Sequence, residues 1–185
     1  MPVTAACANA RASSMADLAR TASEADLADV EPLPYRRVLS DDEEAREWRA
    51  VSNRWGIGPG YWYPLSDPTV PGLELMAFDA PEFRRDVGIA LRELLVAQGL
   101  RRVLEFREGG PARELALELL DPLYDGLEGF WTARGADWII YASHETSMTV
   151  GGAWLIEALK ARWPAWQRHV WEFGSWEDTT ARGAT

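Results

Sequence analysis

Residues 138–142, Trp138-Ile139-Ile140-Tyr141-Ala142, are an unbroken apolar run of strand length, and their reading decides the fold. A surface strand alternates apolar and polar residues; a run with no polar member is expected of a central strand covered on both faces. Upstream, residues 129–133 and 137–143 flank a turn at Arg134 and Gly135, the pattern of a hairpin. Downstream, residues 148–150 add a short strand before Gly151 and Gly152 turn the chain into a helix. That helix carries Leu155, Leu159 and Trp163 at four-residue spacing and ends at Pro164.

Further from this centre, residues 103–106, the turn-rich Glu108-Gly109-Gly110-Pro111 and the alternating Leu115, Leu117 and Leu119 predict two paired strands, although the second also suits a helix. Residues 72–78 read as another strand. Pro81 suits a first helical turn, and Phe83, Val87, Ala90, Leu91 and Leu94 form an apolar stripe ending near Gly99. The first element begins at Ser40, whose hydroxyl caps a helix while Glu43 returns the bond. Asp41, Asp42, Glu43 and Glu44 favour the positive end of its dipole, Ala45, Trp48, Val51 and Trp55 follow at near-helical spacing, and Gly56 closes it. Tyr61, Trp62 and Tyr63 fall in a proline- and glycine-rich loop or short edge strand.

Strands bunched between helices, instead of alternating with them, predict one α+β domain over residues 35–176: a mainly antiparallel sheet covered by about three helices around an aromatic-rich core. Residues 1–34 and 177–185 are expected to be flexible ends, and either Met1 or Met15 serves as the start.

Composition narrows the function. A net charge of -10 and a pI near 4.7 exclude a nucleic-acid footprint, which needs clustered positive charge, and favour a basic protein partner. The 19 basic residues are all arginine except Lys160, pointing to a GC-rich, bacterial coding genome. Cys7 alone can form neither an internal disulfide nor a multi-cysteine zinc site. The chain has no apolar run of membrane-spanning length and no hydrophobic secretory block, so a cytoplasmic location is expected.

Motifs leave few catalytic candidates. Ser143, His144 and Glu145, with Asp137 as a more distant carboxylate, place a histidine beside acids that could share proton transfer. In a straight strand His144 would share a face with Trp138 and Ile140 while Glu145 points away, and only a bulge or turn would unite them. Met148 stands where a zinc-protease helix needs its second histidine, and neither the Gly56–Gly60 stretch nor Gly151-Gly152 completes a phosphate-loop motif, so no metal or cofactor is implied. The 10 tryptophans are the feature least expected by chance. Tyr61, Trp62, Tyr63, Trp131, Trp166 and Trp171 are the aromatics least constrained by core periodicity, hence the candidates for an exposed binding patch. Two functions follow as expectations: a non-catalytic acidic inhibitor or immunity-type protein that blocks a basic partner, or a divergent enzyme using His144 with a nearby carboxylate in an aromatic-lined pocket.

Overall fold

Within the run at 138–142, Ile139–Ala142 becomes an interior strand with both faces covered. The computed structural model describes residues 34–58, 62 and 70–171; apart from Pro34, the two terminal segments expected to be flexible lie outside these residues. Seven strands, β1 (Arg36–Val38), β2 (Leu75–Asp79), β3 (Arg102–Arg107), β4 (Arg113–Ala116), β5 (Gly129–Thr132), β6 (Ile139–Ala142) and β7 (Ser147–Gly151), form one sheet in the order β1-β4-β3-β5-β6-β7-β2. Every pairing is antiparallel. Helices α1 (Asp41–Trp55), α2 (Ala80–Ala97) and α3 (Ala153–Arg162) cover it.

Alternation along β6 distributes the helices. Ile139 and Tyr141 join one apolar cluster with Val51 and Trp55 of α1, whereas Ile140 and Ala142 join another with Phe83, Val87, Leu91 and Leu95 of α2 and Leu155, Ile156 and Leu159 of α3. Both isoleucines are 0% exposed, each burial stabilising the fold by about 1.5–3 kcal/mol. A strand apolar on one face only would have left one helical layer unsupported.

The start of α1 follows its sequence closely. Ser40 Oγ accepts from Glu43 N at 3.4 Å, Glu43 Oε2 accepts from Ser40 N at 3.0 Å, and Gly56 closes the helix in the left-handed region at φ 67°. Elsewhere the expectations shift. Strand β1 precedes Ser40, where no element was predicted, and pairs with β4. The strand expected through Leu119 stops at Ala116, because Leu117–Leu119 tightens into a 3-10 turn whose following carbonyl, on Leu120, accepts from Arg92 of α2 at 2.8 Å. The aromatic segment after Pro164 forms a short 3-10 turn at Trp166–His169. It then runs beside the outer edge of β2, where Val170 bridges Phe78 and Trp171 N donates to Ala77 O at 2.9 Å.

Gly151 makes the close approach of α1 to the sheet geometrically feasible. A Cβ there would stand 2.6 Å from Trp55 Cζ3, 2.7 Å from Ile139 Cγ2 and 2.9 Å from Leu75 Cδ2, while Trp55 Nε1 donates to Ala136 O at 3.1 Å. In α2, by contrast, a Cβ on Gly88 meets nothing within 4 Å. The same substitution therefore has opposite signs at the two sites. Gly151→Ala is expected to lower unfolding free energy by about 1–3 kcal/mol through overpacking, and Gly88→Ala to raise it by about 0.5–1 kcal/mol through helix propensity, both read from urea midpoints.

A second expectation concerns acid. Arg37, bonded to Glu43 at 2.6 Å, and the Ser40 amide hold the Glu43 carboxyl down at about 2, below its ordinary 4.5. A carboxyl whose value falls on folding contributes stability above the unfolded value and loses it as pH drops through the folded one. Acid unfolding between about pH 4.5 and 2 should therefore be steeper in the parent protein than in Glu43→Gln. Equal slopes in a circular-dichroism titration would remove this pair from the acid response.

Candidate functional site

On the face covered by α1, three elements each present one carboxylate and one aromatic ring to a shared groove of about 510 Å³. Glu44 and Trp48 stand one helical turn apart on α1, Phe106 and Glu108 two residues apart at the end of β3, and Glu128 and Phe130 two residues apart at the start of β5. Spacings of four on a helix and two on a strand keep each pair on one face. Ile57 and Arg107 complete the lining. Trp48 lies 5.2 Å, ring centroid to centroid, from both Phe106 and Phe130. Behind Phe130 the rings continue inward: Tyr141 stacks on it at 4.6 Å and 17°, and Trp62 meets Tyr141 edge-on at 5.4 Å.

The charges around this face divide into two groups. Glu43 pairs with Arg37, Glu47 with Arg46 and Arg134, and Glu114 with Arg37 and Arg134. Burial pushes the Glu114 carboxyl up, but hydrogen bonds from Tyr35 and Arg37 and the charge of Arg134 outweigh it and hold the group below its ordinary value. Glu44 and Glu108 have no such compensation: among the described residues neither forms an ion pair, each accepting only a backbone amide, from Ala112 at 3.2 Å and Glu128 at 3.4 Å. The cation bordering the groove, Arg107, is engaged elsewhere, by the Leu123 carbonyl at 2.8 Å, by Asp125 and by the face of Trp131.

Glu128 links the groove to the predicted histidine. Its Oε1 lies 2.5 Å from His144 Nδ1, and its Oε2 accepts from the Tyr141 hydroxyl at 2.7 Å. The carboxylate that meets His144 thus comes from the strand across the hairpin, not from Glu145. Residues 143–147 form a tight turn instead of straight strand: Ser143 N donates to Ser147 O, Thr146 N donates to Ser143 O, and Thr146 takes a left-handed φ of 59°. Ser143 is buried at 3% exposed, its Oγ accepting from Glu145 N and bonded to Ser147 Oγ, both at 3.1 Å. This hydroxyl shapes the turn and is not poised as a nucleophile against His144. Asp137 sits before β6 and His144 after it, about 20 Å of extended strand apart; the two do not share a site.

The aromatic candidates are likewise dispersed. Trp62 is 6% exposed on the α1 side; Trp131, 1% exposed, lies on the opposite side with its Nε1 on Glu105 at 3.1 Å. Trp166 is half-buried against that second cluster under Lys160, and Trp171 is 8% exposed beside β2. Tyr61 and Tyr63 lie outside the described residues. The rings that border the groove are instead Trp48, whose helical spacing reads as core, and Phe130, both half-buried. Glu128 was missed as well. Hairpin pairing supplied the available signal, since Gly129 opposes Ala142 and puts the preceding residue level with Ser143 and beside His144. Among the described residues no cluster of histidine, cysteine, aspartate or glutamate is able to hold a metal ion, and no helix is long and apolar enough to cross a membrane.

Thr146 gives a direct test of the turn. A β-branched residue in the left-handed region is strained, and Thr146→Gly should stabilise the protein by about 1 kcal/mol while leaving the His144 ring resonances in place. Destabilisation would mean that the Thr146 side chain contributes more than its backbone costs. No protein-family model, curated protein or solved structure matches this chain.

Proposed function

We propose that this is a non-catalytic binding protein, an acidic inhibitor or immunity-type protein that acts in the cytoplasm by occupying a cationic surface of a basic partner. The observation that carries this reading is the groove between α1, β3 and β5, where Glu44 and Glu108 stand without an arginine or lysine partner among the described residues beside half-buried aromatic rings. Elsewhere on the same face carboxylates are neutralised by arginine. Uncompensated charge in a concave, partly apolar site raises the local concentration of cations and speeds encounter with a positively charged partner. The net charge of -10 extends the same field over the chain as a whole.

A second reading has one observation in its favour. The chain from His144 through Glu128 to Tyr141 resembles the arrangement in which a carboxylate orients an imidazole for proton transfer. Against it, the neighbouring serine is buried and committed to the turn. In the binding reading the same chain positions Glu128 at the groove wall.

Glu44→Gln/Glu108→Gln separates the readings, because glutamine keeps both backbone acceptor bonds and removes only the charge. A defined basic protein partner, once paired with the chain, should bind the double variant about tenfold more weakly, a change of about 1.4 kcal/mol, and should be released as salt rises toward about 0.5 M. Affinity indifferent to both changes would overturn the proposal. Loss of binding in His144→Ala with the double variant unaffected would move the contact from Glu44 and Glu108 to the His144 side of the groove.

A further inference from the structure

Within the binding reading, on which this step rests, we infer that the groove takes the guanidinium of an arginine side chain from the partner. Among the described residues, three places set a cation over a ring beside a carboxylate, and arginine occupies two of them. Arg102 lies 3.8 Å above the Tyr35 ring and 3.9 Å from Glu114, and Arg107 lies over Trp131 while bonded to Asp125. The groove repeats this combination with two half-buried rings, Trp48 and Phe130, and the carboxylates of Glu44 and Glu108, and no arginine or lysine of the described residues pairs with either acid.

The chemistry selects arginine over lysine. A guanidinium is flat, weakly hydrated and rich in donors spread in a plane, so it can lie on an aromatic face while donating sideways to more than one carboxylate. Lysine offers a compact, strongly hydrated point charge. Lys160 does sit over Trp166 at 4.8 Å with Glu157 at 2.9 Å, but that carboxylate is 70% exposed and stands alone on the helix surface. In the groove the acids come from different elements, Glu44 from α1 and Glu108 from the end of β3, which suits a planar group with several donors. Glu128, drawn back by Tyr141 and His144, closes the inner wall.

The probes are two hexapeptides of equal charge, hexa-arginine and hexa-lysine, titrated into the full chain. Affinity is measured by calorimetry, and site occupancy by the indole N–H resonance of Trp48, assigned through Trp48→Phe. The expected result is that hexa-arginine binds at least tenfold more tightly than hexa-lysine, shifts the Trp48 indole, and loses that advantage in Glu44→Gln/Glu108→Gln. Equal affinity for the two peptides, weakened by salt and by the double variant, overturns the guanidinium assignment while leaving the cationic-partner reading standing. A preference for hexa-arginine that leaves the Trp48 indole unmoved and survives the double variant overturns the placement in this groove. Binding of neither peptide overturns both this inference and the reading beneath it.

Discussion

The structure depends on β6 being buried on both sides. Because Ile139 and Ile140 point to opposite faces and neither can meet water, apolar cover is required above and below the sheet. Two helices meet that requirement on one side. On the other, α1 is the helix packed on the sheet; at its C-terminal end Trp55 fits over Gly151 and its indole nitrogen reaches the carbonyl of Ala136. The opposite end, beginning at the capping box, leaves a groove over β3 and β5. The candidate site thus lies where α1 meets β3 and β5.

Electrostatics follow the same geometry. Near β1 and β4, arginines from several elements converge on Glu43, Glu47 and Glu114 and hold the sheet margin to the start of α1. Such pairs contribute little individually in water, but they fix where positive charge is spent within the fold. Glu44 and Glu108 fall outside that network, each accepting a backbone amide that orients it without neutralising it. A chain with 29 acidic and 19 basic residues must leave some carboxylates uncompensated; here two of them border a concavity with aromatic walls.

What was legible in the sequence was what is local. The apolar run at 138–142, the Ser40–Glu43 box, Gly56 and the stripe of α2 each encode their structure within a few residues, and each stands where its pattern placed it. Strand β1 was not legible, because Arg36-Arg37-Val38 has no apolar alternation and is held by distant partners, notably the Tyr35 hydroxyl on Glu114. His144 was visible as a titratable residue, but its carboxylate partner lies 16 positions away and is set by hairpin register, whereas the adjacent Glu145 drew attention by proximity alone. Tryptophan abundance says little about exposure for a similar reason. Trp62, Trp131 and Trp171 are buried despite lying outside clear periodic stripes, and Trp48, inside one, is only half-buried and borders the groove.

The treatment of the sheet's two outer strands has a consequence for how any assembly forms. Strand β1 is three residues long with two arginines, and β2 is screened along its outer side by Val170 and Trp171. Short, charged or shielded borders give an incoming chain little main-chain hydrogen-bonding template. Recognition by strand addition is thereby disfavoured at both margins, and so is zippering of one molecule onto the next at high concentration.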